Sequence, residues 1–459
     1  MADPEAFRRV QQRLRSGAEE GLAGLKEFLR LPTISTLPEF AADLRRGAQW
    51  LAARMQAAGL EEVRLLETGG HPTVYGHWLH APGRPTVLVY GHYDVQPADP
   101  LDLWTTPPFS PEVRDGRIYA RGAADDKGQV WMHLQAVHAL LETFGRLPCN
   151  LKFLVEGEEE VGSGGVIRLV AQERQRLAAD LVVVSDTAFF APGLPSLSLG
   201  LRGLCSLEVE VRGPTRDLHS GEYGGAVANP LHALAELVAG LHDARGRVTV
   251  PGFYDHVRPL RADERAAMAA LPFDDAQWLA AVGLESGWGE EGFSSLERTW
   301  ARPTLEINGM WGGFQGAGGK TVIAATAHAK ITCRLVPDQQ PRAVLRAVRE
   351  HLQAHCPPGV HISVREGEGS PASLVSVESP MVTAAADALE LAFGRRPVFV
   401  RTGGSIGVVP AFREALGAPV VLMGFGLPED RIHAPDESLD LDNFRRGQEA
   451  IAAYWLGLG

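Results

Sequence analysis

Residues 90–97 read Tyr90-Gly91-His92-Tyr93-Asp94-Val95-Gln96-Pro97 and come directly after the apolar run 85–89. A short run rich in β-branched residues that ends in Gly and Pro predicts a buried strand, so His92 and Asp94 lie where the strand leaves its sheet. Open α/β sheets bind their ligands at that edge. Because His92 and Asp94 are two residues apart, both side chains can enter one cleft. An imidazole beside a carboxylate is a usual pairing at a metal site.

Acidic residues also follow the neighbouring predicted elements. The strand 151–155 leads into the acidic run 156–160, and the strand 181–184 leads into Asp186. Asp125 lies where a loop meets a helical pattern, and we expect unpaired backbone N–H groups around it. Strands that alternate with helices form a mainly parallel, right-handed sheet. Since the strand ends of such a sheet converge, these acids are expected to share one site.

The composition is that of a globular protein with an acidic balance. Its 459 residues exceed what one hydrophobic core usually supports, which predicts two domains. The 44 Lys and Arg against 56 Asp and Glu give a net charge of −12, which disfavours nucleic acid or an anionic membrane as a partner. The sequence predicts no membrane span and no signal peptide. Its 4 scattered cysteines predict neither disulfides nor a Cys-rich zinc site, so we expect a reducing cytoplasm.

The pattern of the sequence changes within residues 202–371. Apolar and polar residues alternate at 207–212 and 327–335, which is typical of antiparallel strands with one solvated face. Helical spacing appears at 231–241 and 344–352. This segment is therefore predicted to be an α+β domain.

The earlier pattern resumes after this segment. A helix is predicted at 381–393 and a buried strand at 419–423. We therefore expect the α+β domain, 202–371, to be inserted into an α/β domain made of 1–201 and 372–459.

Five groups at the predicted strand ends and adjoining loops combine two imidazoles with three carboxylates. They are His92, Asp125, Glu160, Asp186 and His433. Such a set can hold two divalent ions if one carboxylate bridges them and water completes the coordination. Taken singly, an acid in such a position is more often a helix cap or a solvated side chain.

The acidic run Glu158-Glu159-Glu160 has two interpretations. Like charges in sequence usually form a solvated face. This run, however, follows a buried strand and precedes the turn Gly162-Ser163-Gly164-Gly165, so the backbone bends sharply there. Neighbouring acids in such a turn can act separately, one as a metal ligand and the other as a proton acceptor.

These segments occur in the order found in a known family. The series comprises His92 to Pro97, Arg121 to Gly128, Glu156 to Ser163, Ser185-Asp186 and Ile432-His433. It resembles metallopeptidase family 20, which includes carnosinase-type dipeptidases, carboxypeptidase G and succinyl-diaminopimelate desuccinylase. The resemblance covers nearly the whole chain. It implies a zinc-peptidase-like α/β catalytic domain, with a mainly parallel sheet flanked by helices, and an inserted α+β lid and dimerisation domain.

The resemblance also implies roles for individual residues. The five groups above would ligate two divalent metal ions per subunit, with Asp125 as the bridge. Zn²⁺ suits these ligands, and Mn²⁺ and Co²⁺ accept them as well. Asp94 would orient His92, and Glu159 would be the general base. A cis peptide bond is implied between Asp125 and Asp126.

Substrate recognition is implied by similarity to the carnosinase-type branch in particular. The segment 216–225 matches that branch, in which the residue equivalent to His219 reaches into the partner's active site to stabilise the oxyanion. A homodimer through the inserted domain follows. Arg334 would clamp the substrate carboxylate, and Gly404 and Ser405 lie in a segment similar to the family's Gly-rich substrate loop. From the residues alone, His219 is as readily a solvated loop histidine, whereas an exposed arginine is the lesser alternative for Arg334.

The residues and the resemblance together predict a cytoplasmic, homodimeric hydrolase that depends on two metal ions. It would cleave the amide bond of dipeptides or short peptides with a free C-terminal carboxylate, using a water molecule shared by the ions and activated by Glu159. Two alternatives stay open. One is an N-acyl-amino-acid deacylase or desuccinylase of the same family, and the other is an inactive binding or scaffold homologue. Residues 251–302 carry no motif that assigns them a role.

Overall fold

The computed structural model describes residues 2–459, with residue 368 described by its backbone alone. The helices are α1 Pro4–Ser16, α2 Ala18–Leu29, α3 Ala41–Ala57, α4 Lys127–Phe144, α5 Gly164–Gln172, α6 Arg174–Leu177, α7 Ser220–Tyr223, α8 Pro230–Ala239, α9 Ala262–Ala269, α10 Asp275–Ala280, α11 Ser295–Ala301, α12 Pro341–Ala354, α13 Pro380–Phe393, α14 Val408–Leu416 and α15 Leu441–Leu458. The strands are β1 Glu61–Leu66, β2 Thr73–Trp78, β3 Thr86–His92, β4 Glu112–Arg114, β5 Arg117–Tyr119, β6 Asn150–Glu156, β7 Leu181–Val184, β8 Ser196–Leu201, β9 Gly203–Arg212, β10 Leu218–His219, β11 Thr304–Gly312, β12 Val322–Ile323, β13 Thr326–Leu335, β14 His361–Ser370, β15 Ser373–Leu374, β16 Val398–Thr402, β17 Val420–Leu422 and β18 Ser438–Asp440.

The chain divides into two compact units. The second unit consists of Gly200–Leu374 and Arg401–Ser405, and the first contains the remaining described residues. The short piece Arg401–Ser405, which joins the second unit, lies in the stretch that the sequence assigned to the α/β domain.

The first unit is built on a sheet whose strands follow the order β1-β2-β6-β3-β7-β17-β8. The four central strands β6, β3, β7 and β17 are parallel. The flanking strands β1, β2 and β8 pair antiparallel. β3, β6 and β7 are almost continuously buried, as expected for parallel strands covered by helices on both faces. The predicted α/β class is confirmed, and the parallel pairing is confined to the centre of the sheet.

Helices with apolar stripes cover this sheet. The helix α3 has one such stripe, in which Leu44, Ala48, Leu51 and Met55 are fully buried. The C-terminal helix α15 packs against α4 and α13 and buries Trp455 completely. These side chains belong to one continuous hydrophobic core, which makes the sheet edge a rigid support for polar groups.

The second unit is an antiparallel α+β layer. Its sheet has the order β11-β13-β9-β14. In β9 every second residue is buried, including Leu207, Val209 and Val211, and these side chains form a separate core with α8 and α12. The alternation in the sequence predicted these strands because one face meets helices and the other faces away.

Candidate metal centre

The carboxyl ends of the parallel strands bring three of the predicted groups to one edge of the first unit's sheet. His92 is the last residue of β3 and pairs with Glu156, the last residue of β6. On the other side of β3, Tyr90 pairs with Val184, so Asp186 follows β7 level with His92. The sheet therefore sets His92 and Asp186 side by side and starts the acidic run next to them.

Two overlapping groups of side chains have the spacing of metal ligands. The first is His92, Asp125 and Asp186, and the second is Asp125, Glu160 and His433; in each group, one ligand atom per residue lies within 4.8 Å of the others. Asp125 faces both histidines, with Oδ1 3.0 Å from Nε2 of His92 and Oδ2 2.9 Å from Nε2 of His433. Nε2 of His433 also lies 3.3 Å from Oε1 of Glu160. The five predicted groups are thus adjacent, and their role as ligands stays a prediction.

The electrostatics of this cluster fit a divalent cation. Nε2 of His92 is buried and has no aligned hydrogen-bond partner among the described residues, although Oδ1 of Asp125 is close. Burial, followed by the charge of Asp125, raises the pKa of Asp186 well above its ordinary value. Hydrogen bonds to Asp125 and Glu160 raise the pKa of His433 to about 10. Crowded carboxylates around an imidazole nitrogen are a donor set that a metal ion would satisfy.

Asp94 connects His92 to the acidic run. Nδ1 of His92 lies 3.1 Å from the carbonyl oxygen of Asp94 and 3.4 Å from its carboxylate, so the backbone is the nearer acceptor. The carboxylate of Asp94 accepts the backbone N–H groups of Glu159 at 3.2 Å and Glu160 at 3.1 Å. Donation from Nδ1 directs the Nε2 lone pair of His92 towards the acids. Asp94 therefore fixes the ring and the turn that follows β6.

The three acids of the run have separate environments. Oε2 of Glu158 accepts a hydrogen bond of 3.0 Å from the Thr68 hydroxyl. The side chain of Glu160 is 5% exposed and accepts a hydrogen bond of 2.8 Å from Nε2 of Gln96. Burial is the main cause that raises the pKa of Glu159 to about 7. The run is therefore a set of partly buried acids with different partners, and a solvated face is excluded.

The loop before α4 differs in one respect from the sequence prediction. The peptide bond between Asp125 and Asp126 is cis, as the resemblance implied. The backbone N–H groups near Asp125 were predicted to be unpaired, and this is wrong: those of Gly122, Ala124 and Asp125 donate to the carboxylate of Glu437. No sequence motif marks Glu437, whose only signal is its position four residues after His433.

The remaining predicted residues lie in the second unit. His219 ends β10, is exposed, and accepts a hydrogen bond of 3.0 Å from the N–H of Gly221. Arg334 is half-buried on the polar face of β13, and its Nη1 donates 2.9 Å to Oγ of Ser405. Gly404, the residue before Ser405 in the chain, is exposed. Their substrate-binding roles stay predictions.

Comparison with known proteins gives the family of this chain. Residues 88–457 match the peptidase family M20/M25/M40. The chain is 34% identical over 389 residues to the Cys-Gly metallodipeptidase of Schizosaccharomyces pombe, covering 83% of this chain and 82% of that protein. It is 31% identical over 471 residues to the human Beta-Ala-His dipeptidase, covering 99% and 93%.

A solved structure agrees with this assignment. The M20 family metallo-carboxypeptidase of Sulfolobus solfataricus superposes with a TM-score of 0.87 at 32% identity, over 96% of this chain and 99% of that chain. The fold and the site define a class: an α/β protein that carries a cluster of acids and histidines at its strand ends and in the adjoining loops. The chain belongs to peptidase family M20. Among the described residues, no helix is long and apolar enough to cross a membrane.

Proposed function

We propose that this protein is a metal-dependent hydrolase that cleaves the amide bond of dipeptides or short peptides with a free C-terminal carboxylate. The observation that carries the proposal is the pair of ligand groups that share Asp125, with a separate acid, Glu159, beside them. Relatives named as Cys-Gly and Beta-Ala-His dipeptidases, at 30% identity or more over most of the chain, support this substrate class.

We propose two divalent ions per subunit. His92, Asp125 and Asp186 would hold one, and Asp125, Glu160 and His433 would hold the other. Ions bound there would polarise the scissile carbonyl and lower the pKa of water. Zn²⁺ is our proposal because it favours imidazole with carboxylate, and Mn²⁺ and Co²⁺ are the alternatives that metal analysis of the purified protein would separate.

The proton transfers are assigned to Glu159. It takes a proton from the attacking water as the new C–O bond forms, and it returns that proton to the amide nitrogen as the C–N bond breaks. The products are a free carboxylate and a free amine. Asp94 supports this role because its carboxylate accepts the backbone N–H of Glu159 while its carbonyl oxygen lies against the ring of His92. The base and one ligand are therefore held by the same residue.

We propose that residues 1–201 and 372–459 form the catalytic domain and that 202–371 form a lid and dimerisation domain. In the proposed homodimer, His219 would act on the active site of the partner and stabilise the developing oxyanion. A cytoplasmic location is proposed because the cysteines of the described chain are all free thiols.

We propose that Arg334 binds the substrate carboxylate. A guanidinium can grip a carboxylate with two parallel hydrogen bonds. Among the described residues, Oγ of Ser405 accepts one N–H of Arg334, and the other donors of the guanidinium would bind substrate. Gly404, with no side chain, would let the substrate approach the backbone closely.

The alternatives are weaker. A deacylase would share the metal chemistry, but the relatives above are named for dipeptides. An inactive scaffold would be expected to lack a ligand or the base, whereas the five proposed ligands and Glu159 are all present. The metallo-carboxypeptidase similarity favours one extension, in which longer peptides are also shortened from the carboxyl end.

A substrate panel tests the proposal. Purified protein loaded with Zn²⁺, Mn²⁺ or Co²⁺ is assayed against dipeptides, tripeptides, N-acetyl and N-succinyl amino acids, and dipeptides with an amidated C-terminus. We expect the highest kcat/KM for unblocked dipeptides and a large loss on amidation. Faster hydrolysis of the acylated amino acids would replace the dipeptidase proposal by the deacylase, and no hydrolysis with any of the three ions would favour the scaffold.

A further inference from the structure

The carboxylate of Glu437 is fully buried and surrounded by N–H donors. Oε2 accepts a hydrogen bond of 2.8 Å from Nη1 of Arg121 and one of 2.9 Å from the N–H of Gly122. Oε1 accepts 3.0 Å from the N–H of Ala124 and 3.1 Å from that of Asp125. One carboxylate thus fixes the backbone of the loop that ends in Asp125, including the amide of Asp125 itself. Four donors on a charged acceptor make this a strong and directional set of bonds.

Arg121 extends the same contact to the segment that follows His92. Its guanidinium is 1% exposed, and Nη2 donates 3.1 Å to the carbonyl oxygen of Pro97. The guanidinium also lies over the ring of Trp104 at 5.4 Å. The Arg121–Glu437 pair therefore ties together the three stretches that carry His92, Asp125 and His433.

The stretch that carries His433 needs such support. His433 and Asp436 have φ values of 60° and 59°, a left-handed conformation that non-glycine residues adopt rarely and keep only when surrounding contacts hold them. The carboxylate of Asp436 accepts the N–H of Thr105 at 2.9 Å. The carbonyl oxygen of Glu437 accepts the N–H of Ala120 at 3.0 Å. Glu437 is thus bonded through both its backbone and its side chain to the loop opposite.

We infer that Glu437 is a positioning residue of the metal centre, which sets the separation of Asp125 and His433. This rests on the metal site of the proposed function. Because Asp125 is shared by both ligand groups, a shift of its backbone changes both groups, and a shift of residues 433–437 changes the second group further. Outer residues that orient metal ligands typically alter metal affinity by about 10- to 100-fold when they are replaced. A purely structural role would lower stability and leave metal affinity unchanged.

The test compares Glu437→Gln with Glu449→Gln. Glu449, in α15, is a matched control because it is also fully buried. Its carboxylate accepts hydrogen bonds from Gln11 at 2.7 Å, Arg15 at 2.9 Å and Arg445 at 3.0 Å. Metal affinity and stoichiometry of the folded full-length proteins are measured by competition with a chromophoric chelator, using Zn²⁺ alone, and thermal unfolding is recorded in parallel. No peptide substrate is needed.

We expect Glu437→Gln to bind at least one Zn²⁺ about 10- to 100-fold more weakly than wild type, and Glu449→Gln to bind as wild type does, even if both melt at lower temperature. Equal affinity in Glu437→Gln and wild type would overturn the inference, as would an equal loss in Glu449→Gln. If Glu437→Gln does not fold, Arg121→Lys serves instead, since lysine keeps the charge but cannot reach Glu437 and Pro97 in the same fork. Wild-type affinity in that variant would also refute the inference. A wild-type protein that binds no Zn²⁺ would instead refute the proposed function.

Discussion

Removing the carboxylate of Glu159 should remove nearly all turnover without removing metal. In Glu159→Ala the backbone N–H still donates to Asp94, so the turn that carries Glu160 keeps its 3.1 Å contact with the same carboxylate. Neither neighbouring acid is free to replace the base, because Glu158 is bonded to Thr68 and Glu160 to Gln96. General-base catalysis contributes about 10²- to 10⁴-fold, and without a substitute we expect the upper part of that range.

The expected loss is therefore about 10³- to 10⁴-fold in kcat, which corresponds to about 4 to 5.5 kcal/mol of transition-state stabilisation. Steady-state hydrolysis of the best dipeptide of the panel and metal analysis of the same sample measure both quantities. Glu158→Gln is the matched control, and it should keep activity within a few-fold of wild type. Full activity in Glu159→Ala, or loss of metal with activity, would refute the assignment of Glu159 as the base.

Three further predictions concern other parts of the chain. Asp125→Asn should lower the bound metal by more than Asp186→Asn does, because only Asp125 belongs to both ligand groups; equal losses in metal analysis would contradict a shared ligand. Arg334→Met should raise KM for a dipeptide by about 10-fold or more with little change in kcat, and it should have no effect on an amidated dipeptide; a matching effect on both substrates would exclude carboxylate binding. Burial lowers the pKa of His133 to about 3, so the unfolded chain binds a proton below about pH 6.5 that the folded chain does not, and stability falls as pH drops. Urea titrations should show that, relative to His133→Phe, wild type loses up to about 1.4 kcal/mol of unfolding free energy per pH unit between about pH 6 and 4. Parallel pH profiles of the two proteins would show that His133 is not the cause.

The strands that carry the site were predictable because their burial is written in consecutive residues. Leu181–Val184 is an unbroken apolar run that is buried on both faces, and the structure begins and ends β7 at those residues. The apolar stripe of α3 and the alternation in β9 were also predictable, because the periods of a helix and of a strand show in the local sequence. The convergence of His92 with Asp186 then follows from parallel strands alone.

Contacts between distant segments were not predictable in this way. The carboxylate of Glu437 accepts a hydrogen bond from the backbone N–H of Asp125, which lies 312 residues earlier in the chain. No local pattern in the sequence marks that pairing. The carbonyl oxygen of Asp94 is the nearer acceptor for His92, whereas a sequence shows only that a carboxylate is close by. Residues 251–302, which had no motif, contain α9, α10 and α11, short helices whose ends are fixed by local caps such as Asp274 and Ser294.

The most direct test of the metal centre is anomalous diffraction from crystals of the protein grown with Zn²⁺. Two ions per chain are predicted, one contacted by His92, Asp125 and Asp186 and the other by Asp125, Glu160 and His433. Anomalous peaks elsewhere in the molecule, with none in contact with Asp125, would contradict the account.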